Sequence, residues 1–289
     1  MKRQPREMPR PFLKWAGGKS ALLDVLLRAA PETFNTYYEP FLGGGALFFG
    51  LYRAGRLQRA VLSDINPELV DTYQALRADV EAVIRVLESY PYSKDFYYSL
   101  REVDPWSLPL AERAARMIYL NKTCYNGLYR VNRAGKFNVP FGRYKNPNYR
   151  DVANLRAVAE ALQCATLVCA SFEDVVSQAQ AGDFVYFDPP YAPLSQTARF
   201  TEYARGGFRR EDQQRLAVVF RELAERGVWV MLSNSDTPFI RELYQDFVIT
   251  RVHAPRYINS KPSRRGPQAE VLVTNYPVAL EGPFAVRRG

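Results

Sequence analysis

The chain of 289 residues is 47% hydrophobic and 13% aromatic, with 39 Lys and Arg against 30 Asp and Glu, a net charge of +9 and three cysteines. That apolar content excludes intrinsic disorder. No run approaches the ~18 uninterrupted apolar residues of a membrane span, and no apolar segment follows Met1 to Arg10 to make a secretion signal. Cys124, Cys164 and Cys169 lack metal-ligand spacing, which argues against a disulfide framework or zinc site and for a reducing, cytoplasmic setting.

At roughly 100–200 residues per domain, the length suits one large domain or one domain carrying an insert. Short apolar runs predict strands at Tyr37 to Glu39 and Ala60 to Asp64. From Pro67 to Asn121 the pattern is helical throughout. The stretch NGLYRVNRAGKFNVPFGRY follows, and its Asn132 to Gly135 turn separates two extended runs, predicting a hairpin. Strands resume at Thr166 to Ala170 and Phe184 to Asp188. A helix is expected over Glu211 to Arg226, where Leu216, Val219, Phe220 and Leu223 share one face. Three more strands, Val228 to Asn234, Phe247 to Val252 and Glu270 to Tyr276, end the chain, the last two as an antiparallel edge pair. The alternation predicts an α/β fold on a mostly parallel sheet. Residues 1–66 and 151–289 would form this α/β domain, and 67–150 a helical insert within it that ends in a basic hairpin.

The charge is segregated. Residues 121–150 carry +7 with no acid (Lys122, Arg130, Arg133, Lys136, Arg143, Lys145, Arg150), residues 1–19 carry +5 and residues 253–266 carry +4, which leaves −7 on the rest. Clustered cations suit a polyanion; solvated basic loops are the plainer reading. Tyr125, Tyr129, Phe137, Phe141, Tyr144 and Tyr149 lie among the central cations, as stacking or wedging rings would.

Two familiar motifs fail. AGGKS at Ala16 to Ser20 ends like a phosphate-binding loop, but Leu13 stands where the glycine is required. The glycine-rich turn Glu39 to Gly50 has Phe48 where a dinucleotide fingerprint needs its last glycine. What remains is Phe41, Gly43 and Gly45 between a strand and a helix, with Asp64 ending the next strand, where a carboxylate suits a ribose diol. Asp188-Pro189-Pro190-Tyr191 is the stronger signal. Two prolines fix φ and supply no donors, so the carboxylate and free carbonyls can accept from an amine while Tyr191 offers a ring for stacking. His253 reads as a strand-end structural residue, and Trp106 and Trp229 as packing.

Six ordered motifs, KWAGGK (Lys14 to Lys19), EPFLGGG (Glu39 to Gly45), SDIN (Ser63 to Asn66), YNGLYRVN (Tyr125 to Asn132), FNVPFGRYKNP (Phe137 to Pro147) and DPPY, resemble the Dam- and DpnII-type adenine-N6 DNA methyltransferases of the α group. The resemblance spans about Arg10 to Tyr276. It implies a Rossmann-like sheet that binds S-adenosyl-L-methionine (AdoMet), without a metal, and carries a target-recognition insert. Trp15, Lys19, Phe41, Gly43, Gly45, Asp64, Phe172 and Asp188 would form the cofactor site. Asp188, Pro189, Pro190 and Tyr191 would serve catalysis on a flipped adenine.

The implied partner is double-stranded DNA, with a monomer acting on it in the nucleoid, no membrane, and GATC as target. Lys14 and Tyr144 would meet one outer G:C pair and Arg130 the other guanine. Leu128 and Pro140 would pack on a thymine methyl, Tyr125 would intercalate and Asn126 would steady the gap. Asn132 and Arg143 join this set, while Arg133, Lys136, Lys145 and the 256–265 loop would hold phosphates. The alternatives are another target sequence, an RNA substrate, or an inactive DNA-binding relative. Many RNA or glutamine methylases carry Asn before Pro-Pro-Tyr and would lack the hairpin.

Overall fold

A computed structural model describes residues 7–132, 134–192, 208–253 and 269–278, with the backbone of 285–286. The expected 256–265 clamp, Arg133 and the residues before Glu7 lie outside that set. In chain order the strands are β1 (Thr36–Glu39), β2 (Arg59–Asp64), β3 (Ala165–Cys169), β4 (Phe184–Phe187), β5 (Trp229–Ser235), β6 (Val248–His253), β7 (Ala269–Thr274) and β8 (Ala285–Val286). The α-helices are α1 (Leu23–Ala29), α2 (Ala46–Arg53), α3 (Pro67–Ser89), α4 (Lys94–Glu102), α5 (Leu110–Thr123), α6 (Val152–Ala161), α7 (Phe172–Val176), α8 (Arg210–Glu225) and α9 (Pro238–Leu243). The chain divides into two compact units, Met1–Gly18 with Leu42–Gly55 and Leu62–Ala170, and Lys19–Phe41 with Arg56–Val61 and Ser171–Gly289. None of the described helices is long and apolar enough to cross a membrane.

The second unit holds most of a mixed, Rossmann-like α/β sheet. Its order runs from the Arg59–Val61 end of β2 through β1, β4, β5, β7 and β6 to β8. β1, β4 and β5 are parallel, with Tyr37 opposite Phe184 and Phe184 opposite Trp229. β7 lies antiparallel between β5 and β6, so the predicted antiparallel pair at the end of the chain is present. Every residue of β4 is buried. An unbroken apolar run without alternation is what a strand covered on both faces requires. On α8, Leu216, Phe220 and Leu223 are buried, and Phe220 meets Tyr244 and Phe247 at centroid distances of 5.2 and 4.7 Å. His253 closes β6, opposite Ala269.

The first unit holds α3 to α6, together with β3 and the Leu62–Asp64 end of β2. The predicted helical stretch resolves into three α-helices because polar caps interrupt it. Asn66 accepts from Leu69 N–H to start α3, and Ser93 accepts from Phe96 N–H to start α4. Asp79 leaves helical geometry inside α3 and accepts from Ala82 N–H, which restarts the helix.

Tyr90, Phe96, Tyr97, Tyr119 and Tyr149 form the core here, and the hydroxyls of Tyr97, Tyr119 and Tyr149 donate to the Val139, Pro91 and Tyr90 carbonyls. Phe137 is buried too, and Phe141 packs on Tyr92 and Tyr97. Three of the six aromatics of the basic window, Phe137, Phe141 and Tyr149, therefore pack against this unit's own side chains. Arg150, counted among the cations of that window, donates to the Leu87 and Tyr90 carbonyls at the end of α3. A helix end leaves carbonyls unpaired, and a guanidinium satisfies them. The predicted hairpin is present as two isolated antiparallel bridges, Val131 with Phe137 and Cys124 with Phe141. The two bridges are in different registers, with the 3-10 turn Tyr125–Gly127 between them, so they do not join into one ladder.

Candidate functional site

In the second unit the chain leaves β4 at Phe187 and turns through Asp188-Pro189-Pro190-Tyr191. The corner is pinned from α8 and β5. Gln213 donates to the Pro190 carbonyl at 2.9 Å, and Asn234 accepts from Ala192 N–H at 3.1 Å while donating to Gln213 at 3.0 Å. Lys19 opens a short 3-10 turn, Lys19–Leu22, and its ammonium stands 2.8 Å from Asp188 Oδ1 and 4.6 Å from the centre of the Tyr191 ring. The Tyr191 hydroxyl donates to Glu270 Oε2 at 2.6 Å.

Burial pushes the Asp188 carboxyl up to about 6; the Lys19 cation opposes the rise and the Glu270 carboxylate adds to it. Tyr191 is held well above its usual value by burial, then by Asp188 and Glu270, so it remains a neutral donor. Phe41 stacks on the buried Phe172 at 5.6 Å and meets Phe187 and Phe208 edge-on. Phe172 is thus part of an aromatic wall.

The first unit carries the other predicted groups. Gly43 sits at φ +46, and a Cβ there would stand 2.6 Å from the Trp15 ring, so only glycine fits this turn. Tyr73 OH donates to the Gly43 carbonyl at 3.1 Å. Gly45, at φ +64, precedes α2. Asp64 ends β2 and accepts from Gly43 N–H at 3.1 Å and Asn66 N–H at 3.0 Å. Burial raises its carboxyl, against the backbone N–H groups of Asn66, Gly43 and Ile65. A carboxylate has about four lone-pair sites, so acceptor capacity is left for a diol. Beside it Ile65 is 78% exposed, a large apolar side chain that folding does not need outside.

Trp15 also stacks on Tyr129 at 5.2 Å. Its neighbour Lys14 reaches Tyr144, with Nζ 3.3 Å from the hydroxyl and 4.4 Å from the ring centre. Buried Asn121 fastens this arrangement: its side chain accepts from Lys14 N–H at 2.8 Å and donates to the Lys14 and Gly127 carbonyls at 2.7 and 3.2 Å. A Cβ on Gly127 would collide with the Lys14 side chain at 2.3 Å.

Tyr125 is 49% exposed and Asn126, at φ +55, takes the left-handed conformation that asparagine tolerates. Leu128, Arg130, Pro140 and Arg143 are exposed. Arg130 is docked side-on: its Nε donates to Asn138 Oδ1 at 2.7 Å and Nη2 to the Asn138 carbonyl at 3.2 Å. Asn132 differs from the other predicted reading residues, because its side-chain oxygen accepts from Ala134 and Lys136 N–H and shapes the hairpin turn. Trp106, expected to pack, is half exposed under the Arg113 guanidinium, and Trp229 meets Tyr276 edge-on.

Asn121, Asn138, Ile65 and Glu270 were missed. Ile65 had a signal, being the apolar neighbour of Asp64. Asn138 faces Arg130 across the predicted hairpin turn, whereas Asn121 and Glu270 act through partners remote in sequence.

A model of the D12 class N6 adenine-specific DNA methyltransferase family matches residues 15–258. The chain is 45% identical over 275 residues to the Type II methyltransferase M1.LlaDCHI of Lactococcus lactis subsp. cremoris, covering 92% of this chain and 95% of that one. It is 42% identical over 286 residues to the Type II methyltransferase M.MjaIII of Methanocaldococcus jannaschii (92% and 99% covered), and 40% identical over 272 residues to the DNA adenine methylase of Escherichia coli K12 (93% and 96% covered). The carboxylate-proline corner and the acid-ended second strand therefore stand in a chain that belongs to the D12 class of N6 adenine-specific DNA methyltransferases.

Proposed function

We propose that the chain methylates adenine N6 within GATC in double-stranded DNA, taking the base out of the helix to do so. The observation that carries the chemistry is the desolvated Asp188 carboxylate, held at a proline corner beside Lys19. AdoMet, when bound, supplies an electrophilic sulfonium methyl. Asp64 would accept from its ribose hydroxyls, Ile65 would cover its adenine, and Trp15 with Gly43 would shape the neighbouring turn.

Adenine N6 is a weak nucleophile because its lone pair is delocalised into the ring. Asp188 and the Pro189 carbonyl, accepting from the amine, would favour a tetrahedral nitrogen whose lone pair points at the methyl, and alignment then lowers the barrier. N6 lies inside the duplex, so the base must leave the stack, with Tyr191 receiving it.

Residues 67–150 would read the target. Arg130 uses Nε and one Nη2 proton on Asn138, which leaves its Nη1 end for a guanine edge, the commonest specific contact in the major groove. Lys14, steadied by Tyr144, would take the other outer pair. Arg130→Ala is expected to relax discrimination at its guanine by about 1–3 kcal/mol. Single-turnover rates on GATC duplexes with one outer pair substituted measure this, and an unchanged preference would remove Arg130 from the reading set.

The ionised Asp188 carboxylate is the stronger acceptor for the amine; its protonated form keeps one carbonyl acceptor but sets an O–H donor beside it. Its raised carboxyl therefore places the acid limb of kcat/KM near pH 6, with activity falling as pH drops below that value. Lys19→Met removes the cation that lowers this carboxyl and should move the limb to higher pH. A pH profile of methyl transfer for both proteins tests the shift.

A further inference from the structure

We propose that Glu270 is a positioning residue for methyl transfer, holding the Tyr191 ring at the Asp188 corner by accepting a hydrogen bond from its hydroxyl. The inference rests on the reading of Asp188 to Tyr191 as the catalytic corner.

Tyr191 lies beyond β4 and has no strand ladder to fix it. Its ring is held at two places, by the Lys19 ammonium 4.6 Å from its centre and by Glu270 Oε2, 2.6 Å from its hydroxyl. That distance is short for an O–H bond and characteristic of a charged acceptor. The acceptor itself sits on firm ground. β7 is flanked on both sides, with Glu270 opposite Ser235 of β5 and Val252 of β6, so the anchor cannot drift without breaking two ladders.

Mere packing of Tyr191 does not call for a carboxylate here. The negative charge of Glu270 works against Asp188, whose carboxyl it helps to raise. A neutral acceptor would fill the same space without that repulsion. The charged one gives the stronger bond, and a ring that is to stack on a planar base needs its plane fixed. Freed of the bond, the ring would keep its place but lose its orientation, and misalignment at the reacting centre costs rate more than affinity.

The test is a double-substitution cycle on the full chain with a GATC duplex, read as single-turnover methyl transfer beside AdoMet and DNA dissociation constants. Glu270→Ala and Tyr191→Phe remove the same hydrogen bond from opposite sides. Each is expected to slow transfer by about 10- to 100-fold, with both dissociation constants within about threefold of the parent. The double variant should be no slower than the singles, and Glu270→Gln, which keeps a weaker, neutral acceptor, should recover part of the rate. With 2-aminopurine in place of the target adenine, Glu270→Ala should weaken the quenching of the extruded base.

Parental rates in Tyr191→Phe would overturn the proposal even if Glu270→Ala failed to fold, as would multiplying effects in the double variant. Asp188→Ala is the control. If it remains active, the reading of the corner itself fails; if it is inactive while the Glu270 and Tyr191 variants match the parent, only the role of Glu270 falls.

Discussion

Asp188→Ala is expected to lower the single-turnover rate of methyl transfer by about 10²–10³-fold or more, the scale on which loss of one preorganised polar group acts in a transition state. DNA affinity should stay within about threefold, because it arises mainly from cations on phosphates. The reason lies in how the corner is built. Gln213 and Asn234 fix the backbone on either side of Tyr191, so the substitution removes the acceptor without moving its surroundings. The parent carboxylate is ionised at some energetic cost, since burial raises it, but its loss also takes the counter-charge from beside the buried Lys19 ammonium, so some loss of stability should accompany the loss of rate. Asp188→Asn keeps a carbonyl acceptor and should fall between the parent and the alanine variant. Transfer to a GATC duplex, with urea unfolding alongside, separates lost chemistry from lost fold; an active Asp188→Ala enzyme would place the acceptor elsewhere.

Arg116→Ala should destabilise the protein by about 3–5 kcal/mol, the usual effect of stripping one partner from a buried ion pair. Arg116 is 2% exposed; its Nη1 meets Glu68 at 2.7 Å, and its other nitrogens donate to the Leu100 and Arg101 carbonyls at the end of α4. Removal leaves a buried carboxylate and two carbonyls without their donor. The Tyr129 hydroxyl, 3.3 Å from Glu68 Oε2, is a neutral partner that cannot balance the charge.

The deficit should depend on pH. Burial already raises Glu68, and Arg116 is the largest influence holding it down. Without the guanidinium, the folded-state carboxyl rises further above its unfolded value. Such a group favours folding below the unfolded value, about 4.3, and that contribution is lost as pH rises through the folded one. The variant should therefore lie closest to the parent in acid and furthest from it at neutral pH. Adding Glu68→Leu removes the orphaned charge and should recover part of the loss. Urea unfolding at two pH values measures both effects; a pH-independent deficit would mean that Glu68 is not the cause.

The sequence was most informative where one physical cause dominates. β4 was legible as an apolar run because burial on both faces leaves no room for polar alternation, and α8 because its apolar residues share one face. Asp188 stood out because proline after proline has few other uses. The basic hairpin was harder to read: clustered cations and rings suggested a nucleic-acid surface, yet Tyr149, Phe137 and Phe141 went to the core and Arg150 to a helix end. An aromatic ring carries the same signal whether it meets a base or a neighbour, and the choice is made by packing that is remote in sequence. The same holds for Glu270, 79 residues from Tyr191, and for Asn121, 107 residues from Lys14.

The central claim is tested most directly by incubating the purified protein and AdoMet with unmethylated plasmid and mapping every modified base. N6-methyladenine at GATC sites, and at no other adenines, is the predicted result. Methylation at a different sequence would contradict the assignment of Lys14, Leu128 and Arg130 to this target, and DNA free of N6-methyladenine would contradict the catalytic reading of the Asp188 corner.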